Sequence, residues 1–382
     1  MTRALFVTHT AAPSGAELAT LRLMRALPGA GVEPVAVYAA AGPLVATTRA
    51  SGIATDVLAE ELGRDVRIGS RDPLRFARGL AALARLGRDL GDVAVRRRAD
   101  VVVATTTKAL LMGAVAARRA RLPLVWQAHD RATAEFFGPV VAPAVRAVGR
   151  VVPDAYIANS RSTLETLRTG NRPVLVAHPG VEPGPAPRRD PQRAAADAVV
   201  VLVGRLTPWK GQDVLLRALA AAAHRPRRIL LVGGTFFGEE GYRAGLERLA
   251  AELGLPVELT GHVDDPGELM RGADVLVHCS TTAEPFGQVV VEGMQAGCAV
   301  VASRPGGPSE IVTDGVDGLL VDGGDVAALT AALDRLLADP AERERLAAAG
   351  QRTAGRFGVD RTAADVARFL AGVVGERREV LR

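Results

Sequence analysis

Short apolar runs alternate with longer segments of helical periodicity along the whole chain of 382 residues. Continuous runs of Val, Ile and Leu are typical of strands buried on both faces of a parallel sheet, each followed by a covering helix. The pattern therefore predicts an α/β fold with doubly wound parallel sheets. The predicted strands of the first half are Leu5–Val7, Val35–Tyr38, Val101–Ala104, Leu124–Trp126, Tyr156–Ala158 and Val174–Ala177. Those of the second half are Val199–Val203, Ile229–Val232, Val257–Leu259, Val275–Val277, Ala299–Ala302 and Leu319–Val321.

A proline-rich stretch separates these two sets of strands. Prolines recur throughout residues 179–191, which predicts a linker between domains. A chain of this length also suits two ordinary α/β domains better than one. We therefore predict a first domain over residues 1–180 and a second over 181–355, followed by a segment over 356–382. The expected arrangement is two doubly wound domains that face each other across a cleft.

Charge is distributed unevenly between the two halves. Residues 1–180 carry 24 Lys and Arg against 14 Asp and Glu, whereas the rest of the chain carries 23 against 28. A basic first half favours an anionic partner, either a phosphate-bearing substrate or an acidic membrane surface contacted peripherally. Nucleic acid is disfavoured, because no basic stretch is interleaved with aromatic side chains for stacking on bases.

The arginine-rich residues 71–98 predict an amphipathic helix, with Leu74, Leu80, Leu83 and Leu90 on one face. A basic helix of this kind can lie on a membrane. It can also cover the first sheet with its arginines in water, which is the commoner arrangement. Both interpretations stay open on the sequence.

Other signals bear on the compartment and on metal binding. Cys279 and Cys298 are too few for a disulfide framework, and neither has the spacing of a metal ligand. No apolar stretch approaches the about 18 residues of a spanning helix, and the apolar run at the N-terminus is too short for a signal peptide. No paired aspartates indicate a catalytic metal. The sequence thus predicts a cytoplasmic protein, with peripheral contact at the inner face of the membrane as an alternative.

Lysine is almost absent from this chain. Of the 47 basic residues only Lys108 and Lys210 are lysine, a usage typical of a GC-rich bacterial genome such as that of an actinomycete. Lys210 belongs to the segment Gly204-Arg205-x4-Lys210-Gly211, which follows a predicted strand. Two cations at a strand end can clamp a diphosphate by charge-assisted hydrogen bonds. Lys108 precedes a predicted helix and either steadies an anionic substrate or is simply exposed.

Two glutamates eight residues apart, Glu284 and Glu292, follow another predicted strand. Gly287 lies between them and lets a helix begin, so Glu292 falls about one turn into that helix. A carboxylate beside a helix N-terminus, at the carboxyl end of a strand, is where α/β sheets bind their ligands. A glycosidase pair of acid and nucleophile is disfavoured, because a hydrolase needs no diphosphate clamp.

The first half contains three weaker signals at strand ends. Ser14-Gly15-Ala16-Glu17 follows the first strand, and Gly15 would let the backbone approach a phosphate or sugar. This is not the Gly-x-Gly-x-x-Gly pattern, which disfavours a dinucleotide dehydrogenase. His129 follows another strand, where an active-site role competes with that of a satisfied structural histidine. Asn159-Ser160 and Gly180 indicate turns and caps, with a positive φ expected at Gly180.

Taken together, these segments resemble the retaining glycosyltransferases of family 4, whose GT-B fold has two Rossmann-like domains. The resemblance covers most of the chain. It includes four further blocks of the second half: Gly261-His262-Val263, Ala273-Asp274-Val275, Pro305-Gly306-Gly307-x2-Glu310-Ile311-Val312 and Asp317-Gly318-Leu319-Leu320.

The resemblance implies a function and assigns site residues. The function is transfer of a sugar from a nucleotide-diphosphate donor, with a UDP-sugar favoured and a GDP-sugar possible, to a hydroxyl acceptor bound by the first domain. No cofactor or metal is implied beyond the nucleotide-sugar. The implied catalytic residues are Arg205, Lys210, Glu284 and His129. The implied donor-binding residues are Gly15, Gly204, His262, Val263, Phe286, Gly287, Gln288 and Glu292, with Lys108 as a candidate for the acceptor.

The resemblance also implies that the last helix, Phe357 to Val374, crosses back onto the first domain. Two other functions stay open: a GT-B sugar-nucleotide epimerase, and a non-catalytic nucleotide-sugar-binding subunit. A phosphorylase is disfavoured, because its pyridoxal-phosphate lysine should lie late in the chain and none follows Lys210. The sequence does not name the acceptor, which is anionic or lipid-linked if the basic charge of the first domain serves to bind it.

Overall fold

A computed structural model describes residues 1–60, 73–188, 190, 192–235 and 238–380. The chain divides into two compact units. The first combines Met1–Glu182 with Gly358–Arg382, and the second is Pro183–Phe357. The chain therefore leaves the first unit within the proline-rich stretch and returns to it for its last helix.

The sheet of the first unit has seven parallel strands in the described part of the chain. Their order is β3-β2-β1-β4-β5-β6-β7, so the direction of winding reverses between β1 and β4. All six strands predicted for this half are confirmed, and β3 was missed because its four residues, Ala-Thr-Asp-Val, are not a continuous apolar run. The strands are β1 (Thr2–Thr8), β2 (Val32–Tyr38), β3 (Ala54–Val57), β4 (Val101–Ala104), β5 (Leu124–Ala128), β6 (Ala155–Ala158) and β7 (Val174–Val176).

The sheet of the second unit has six parallel strands over its described residues, in the order β10-β9-β8-β11-β12-β13. Its winding reverses between β8 and β11. Every strand predicted for this half is confirmed. The strands are β8 (Val199–Val203), β9 (Arg228–Val232), β10 (Val257–Gly261), β11 (Val275–His278), β12 (Ala299–Arg304) and β13 (Leu319–Asp322).

Helices follow the strands in both units, as a doubly wound α/β fold requires. The helices of the first part of the chain are α1 (Gly15–Ala26), α2 (Pro43–Ala50), α3 (Pro73–Arg96), α4 (Thr107–Ala120), α5 (Ala134–Val151) and α6 (Arg161–Leu164). Those that follow are α7 (Gln212–Ala221), α8 (Glu240–Glu252), α9 (Pro266–Gly272), α10 (Gln288–Gln295), α11 (Pro308–Ile311), α12 (Val326–Ala338), α13 (Pro340–Ala354) and α14 (Val359–Val380).

Helix α14 belongs to the core of the first unit. Its buried side chains Ala363, Val366 and Leu370 join a cluster that includes Leu23 of α1 and Phe6 of β1. Gly180 allows the chain to reach this helix closely, because a Cβ there would lie 2.4 Å from the Cα of Val359. The expected positive φ at Gly180 is wrong: close packing, not backbone conformation, requires the glycine.

Helix α3 differs in part from the predicted amphipathic helix. Leu83 and Leu90 are buried in the core of the first unit, whereas Leu74 and Leu80 are 70% and 41% exposed. The reason is geometric, since Leu74 and Leu83 are nine residues apart and lie on opposite sides of a helix with 3.6 residues per turn. Residues 71 and 72 of the predicted helix lie outside the described residues. No described helix has the length and apolar character that spanning a bilayer requires.

Asp274 ties two neighbouring strands of the second sheet together. Its side chain is fully buried, and Oδ2 accepts hydrogen bonds from the backbone N–H of Val199 and from Arg193, both at 2.8 Å. The Ala273-Asp274-Val275 block therefore supports the sheet at the amino ends of β8 and β11, away from the carboxyl ends where such sheets bind ligands.

We expect Asp274→Ala to lower the free energy of unfolding by about 2 kcal/mol or more, because it leaves a strand N–H without its acceptor and a partly buried guanidinium without its carboxylate partner. The matched control is Asp322→Ala, which removes an exposed partner of Arg304, also at 2.8 Å. The control should cost much less, because water screens an exposed pair. Urea denaturation followed by circular dichroism makes the comparison, and equal losses would contradict the structural role of Asp274.

Candidate functional site

The candidate residues of the second unit lie at the carboxyl edge of its parallel sheet. Arg205 and Lys210 follow β8, and Glu284 follows β11, the two strands between which the winding reverses. Ligands of open α/β sheets bind at such a switch point, outside the carboxyl ends of the strands. Two cations and a carboxylate therefore flank the place where this sheet should receive a ligand.

Lys210 and Glu284 form a close, largely buried ion pair. Lys210 Nζ donates to Glu284 Oε2 at 2.7 Å, and the two side chains are only 16% and 13% exposed. Lys210 ends a short 3-10 turn, Pro208–Lys210, and its ammonium also lies 4.3 Å from the ring centroid of Trp209. The sequence pattern placed these residues near strand ends, and the structure brings their charged groups into contact.

Two further donors reach the same oxygen of Glu284. Ser280 Oγ donates to Oε2 at 2.8 Å, and His278 Nε2 lies 3.3 Å from it. Burial raises the pKa of the Glu284 carboxyl, but the Lys210 ammonium and His278 outweigh this effect and hold the pKa well below its ordinary value. Glu284 is therefore an ionised acceptor at neutral pH, and none of its described hydrogen bonds uses Oε1.

Arg205 has a separate carboxylate partner. Its Nε lies 3.4 Å from Glu239 Oε2, and its backbone carbonyl accepts a 2.8 Å hydrogen bond from Gln212 at the start of α7. A guanidinium presents its N–H donors in a planar fork, a geometry that matches phosphate oxygens. Gly204, directly before it, ends the strand and donates its N–H to the carbonyl of Val232.

A glycine turn after β12 fixes the backbone around Glu284. Gly306 pairs with Glu284 in an isolated parallel bridge, and the N–H of Gly307 donates to the Glu284 carbonyl at 2.9 Å. A Cβ at Gly306 would lie 2.5 Å from that carbonyl, and one at Gly307 would lie 2.2 Å from the Cα of Phe286. The Pro305-Gly306-Gly307 block therefore contributes by close backbone approach.

Helix α10 begins one residue after Gly287, which adopts a left-handed φ of 89°. The first N–H groups of a helix have no intrahelical acceptor, so those near Gln288 can bind an anion or a sugar oxygen. Glu292 lies on this helix as predicted, and its Oε1 accepts from Gln288 Nε2 at 3.0 Å. The side chain of Phe286 is instead buried and packs against Phe357, with ring centroids 6.0 Å apart.

His262 and Val263 follow β10, at the same carboxyl edge but on the edge strand of the sheet. The imidazole of His262 is exposed and lies 3.8 Å from Asp264. These two residues are therefore two strands away from β8, farther along the edge than the Lys210–Glu284 pair. His262 is exposed and Val263 is half-buried at this edge.

His129 is a buried residue at the carboxyl end of β5 in the first unit. Its Nε2 lies 3.3 Å from Thr20 Oγ1, which donates its own proton to the carbonyl of Ala16. Nε2 must therefore carry the proton that bonds to Thr20. Burial lowers the pKa of His129 to about 4, so the ring is neutral at neutral pH.

The start of α1 leaves open space around Gly15. A Cβ at Gly15 would meet no atom within 4 Å, and its φ is not positive. The fold of the described chain therefore does not itself require a glycine at this position. Ser14 makes no side-chain cap to the helix and instead hydrogen-bonds to Glu17, whose pKa is raised by burial.

A second group of polar residues lies at the switch point of the first unit. His9 follows β1, and its Nδ1 lies 2.9 Å from Thr106 Oγ1, the N-cap of α4. Lys108 lies half-buried in the first turn of that helix. Burial and the charge of Lys108 lower the pKa of His9 to about 4. The lysine and the imidazole therefore share one local environment beside a helix N-terminus.

Sequence reasoning missed His9, His278 and Ser280. The usable signal was position, because each follows or ends a strand at the edge where the winding reverses. The predicted strand Val275–Val277 ended one residue too early, which left His278 outside the pattern. Among the described residues, no group of three or more His, Cys, Asp or Glu side chains is arranged as metal ligands would be.

Two family models match the chain. Residues 13–184 match the glycosyltransferase family 4 model, and residues 186–353 match the model of glycosyl transferases group 1. Among curated proteins, the D-inositol 3-phosphate glycosyltransferase of Thermobispora bispora is 36% identical over 285 residues, which are 67% of this chain and 66% of that protein. Its counterpart in Salinispora tropica is 35% identical over 309 residues, 70% of this chain and 62% of that protein. The chain thus spans slightly less than two thirds of these relatives.

Solved structures match almost the whole chain. The structure of HepE from Anabaena in complex with UDP-glucose has a TM-score of 0.81 and 27% identity, covering 97% of this chain and all of that one (100%). The sucrose-phosphate synthase of Thermosynechococcus elongatus has a TM-score of 0.80 at 20% identity, covering 98% of this chain and 100% of its own. These matches confirm the predicted fold class of two Rossmann-like domains.

Gly211 combines a positive φ with a close backbone contact at the site. Its φ is 72°, and a Cβ there would lie 2.2 Å from the Cys279 carbonyl. Gly254 has a similar φ of 61° with no atom within 4 Å, so it is a matched control. We expect Gly254→Ala to cost about 1 kcal/mol of unfolding free energy and Gly211→Ala to cost about 1–3 kcal/mol more. Urea denaturation measures both, and equal costs would show that the steric contact at Gly211 is relieved easily.

Proposed function

Because the chain belongs to the glycosyltransferases of family 4, we propose that it transfers a sugar from a nucleotide-diphosphate donor to a hydroxyl group of an acceptor, with retention of anomeric configuration. A UDP-sugar is the favoured donor, and a GDP-sugar is the alternative; the similarity to HepE bound to UDP-glucose supports the first. The observation that carries the proposal is the 2.7 Å Lys210–Glu284 pair at the sheet's switch point.

In this proposal Arg205 and Lys210 bind the diphosphate of the donor. The Lys210 ammonium has three N–H donors and uses one toward Glu284, so it can bind a phosphate oxygen without leaving its partner. Negative charge develops on the diphosphate as the sugar leaves. Fixed cations in a largely buried site stabilise that charge and thereby lower the barrier.

Glu284 holds the donor sugar. Its carboxylate stays ionised because Lys210 and His278 outweigh the effect of burial on its pKa. Ser280, His278 and Lys210 all bond to Oε2, so Oε1 is the oxygen left to accept a sugar hydroxyl. Glu292, farther along α10, accepts hydrogen bonds from the ribose of the nucleotide.

The remaining donor contacts are backbone contacts. The N–H groups of Phe286, Gly287 and Gln288 approach the sugar and phosphate at the start of α10. The backbone of His262 and Val263 contacts the base, with Gly204 and Gly15 allowing the chain to come close to the donor. This division explains why the exposed His262 ring and the buried Phe286 ring need no catalytic role.

The reaction breaks the bond between the anomeric carbon and the diphosphate oxygen and forms a bond from that carbon to the acceptor oxygen. The acceptor's hydroxyl proton passes to the leaving diphosphate on the same face. No enzyme nucleophile or metal takes part in this scheme. The neutral His129 contributes near the anomeric centre as a polar group rather than as a cation.

We propose that the first unit binds the acceptor and that the acceptor bears a phosphate group. Lys108 and His9 lie beside the N-terminus of α4, where N–H groups and a cation favour an anion. The relatives named D-inositol 3-phosphate glycosyltransferases support a phosphorylated acceptor. The basic excess of residues 1–180 agrees with this class, and a lipid phosphate at a membrane surface is the alternative source of the same chemistry.

We expect Lys210→Ala and Glu284→Gln each to reduce sugar transfer by about 100-fold or more, because each removes a charge that acts in the transition state. Glu258→Gln is the control, since Glu258 is exposed and pairs with Arg228. Glu292→Gln should raise the donor KM with a smaller change in kcat. Radiolabelled transfer from UDP-glucose and GDP-mannose, with EDTA as a parallel arm, measures these effects.

Full activity of both site variants would refute the assignment. Tight binding of a nucleotide-sugar by the wild-type protein without any transfer would favour the non-catalytic subunit. Interconversion of the donor sugar without an acceptor would favour the epimerase.

We expect Lys108→Ala to raise the KM for D-inositol 3-phosphate by about 10-fold, because a charge-assisted hydrogen bond to phosphate is lost. The same change should leave the donor KM and the KM for unphosphorylated inositol, tested as a second acceptor, unaltered. Arg118→Ala, an exposed cation near the other end of α4, is the control. An equal effect on both acceptors would exclude a phosphate contact at Lys108.

A further inference from the structure

We propose that His278 is a positioning residue that holds the Glu284 carboxylate for the donor sugar, acting both directly and through Ser280. The inference rests on the proposed role of Glu284 and adds a residue to which no role has been assigned. It follows from the hydrogen bonds on the two sides of the imidazole ring.

The Nε2 side of His278 faces the carboxylate. Nε2 lies 3.3 Å from Glu284 Oε2 and 3.2 Å from Ser280 Oγ. Ser280 has a single hydroxyl proton, which it donates to the same Oε2 at 2.8 Å. Its oxygen is thus available to accept from His278, so the ring N–H is shared between Glu284 and Ser280. The histidine and the serine converge on one oxygen.

The surroundings of Nε2 show that this nitrogen carries a proton. Both of its neighbours, Glu284 Oε2 and Ser280 Oγ, are acceptors, because the carboxylate is ionised and the serine proton is already donated to it. Nδ1 lies 3.4 Å from the backbone nitrogen of Ser303 and 3.3 Å from its hydroxyl oxygen, which donates its own proton to the Ser280 carbonyl at 2.8 Å. The ring is thus held on both sides, with Nε2–H directed at Glu284.

The framework around this histidine is rigid. His278, Ser280 and Ser303 are all buried, and His278 is 3% exposed. His278 ends β11 and pairs in register with Ala302 of β12, the residue before Ser303. The sheet itself, rather than a loop, therefore sets the direction of the Nε2–H. Residues held on strands position a site more accurately than residues held on loops.

The bonds from His278 and Ser280 to Glu284 matter because Lys210 takes part in two interactions. Its ammonium pairs with Glu284, and in the proposed reaction it also binds the diphosphate. The bonds from His278 and Ser280 keep Oε2 in place whichever way the ammonium shifts. Oε1 then faces the sugar in a constant orientation through the reaction.

If His278 only filled space in the core, its replacement would affect folding but would not weaken the binding of UDP-glucose more than the binding of UDP. The test compares binding of UDP with binding of UDP-glucose by calorimetry, and kcat with KM for transfer. We expect His278→Leu to weaken UDP-glucose binding about 10-fold to 100-fold while UDP binding stays within about twofold. His278→Gln should recover most of the loss, because the glutamine amide N–H can replace Nε2–H.

Three further variants separate the possible failures. Ser280→Ala is a small change that should give a weaker loss of the same kind. His224→Leu removes an exposed histidine next to Asp334 and should have no effect on either ligand. Glu284→Ala should also weaken UDP-glucose binding relative to UDP; if it does not, the proposed role of Glu284 fails. If Glu284→Ala has this effect and His278→Leu does not, the inference about His278 alone fails.

A second measurement needs no ligand. Histidines labelled with nitrogen-15 report their tautomers by NMR, and the His278 signal is assigned by its absence in His278→Gln. We expect Nε2 to carry a proton at neutral pH. An unprotonated Nε2, or rapid exchange of the proton between the two nitrogens, would overturn the proposal, because the ring would then not be a fixed donor to Glu284.

Discussion

The ion pair between Lys210 and Glu284 is the interaction around which the second unit's site is built. Both groups are largely removed from water, so each charge depends on the other and on added hydrogen bonds to offset the cost of desolvation. Gly211 lets the lysine's turn lie against the carbonyl of Cys279, and Gly306 brings a turn against the glutamate's backbone. The motif glycines thus serve the geometry of one charged pair.

The strands were predictable because a strand buried in a parallel sheet has a continuous run of apolar residues. The twelve predicted runs of this kind are strands in the structure. Strand β3 (Ala54–Val57) was not predictable in this way, because it lies at the edge of the sheet and contains Thr and Asp. The leucines of α3 show another limit, because helical phase has to be counted residue by residue. Gly180 shows a third limit. The sequence shows that a glycine is present, but not whether its backbone conformation or close contact with a neighbour such as Val359 requires it.

The predicted site residues mark strand ends, which the apolar pattern reveals, and their contacts depend on which strands are neighbours. Strand order is a tertiary property, so the contact between Lys210 and Glu284 could not be predicted from the apolar pattern; the family resemblance implied only that both residues bind the donor. His278 was missed because it is the last residue of β11, one position beyond the apolar run that predicted this strand. Asp274 shows the opposite problem. The Ala273-Asp274-Val275 block is as distinctive in sequence as the other blocks, yet the Asp274 carboxylate supports the sheet.

The near absence of lysine gives this protein a pair of natural spectroscopic probes. With lysine at only two positions, Lys108 in the first unit and Lys210 in the second, selective isotopic labelling of lysine side chains would yield two ε-carbon signals for the entire chain. One signal would report from the start of α4 and the other from beside Glu284. Because arginine takes the place of lysine almost everywhere, each half of the chain has a single lysine amine. Ligand binding to the two halves could therefore be followed separately in the intact, unmutated protein.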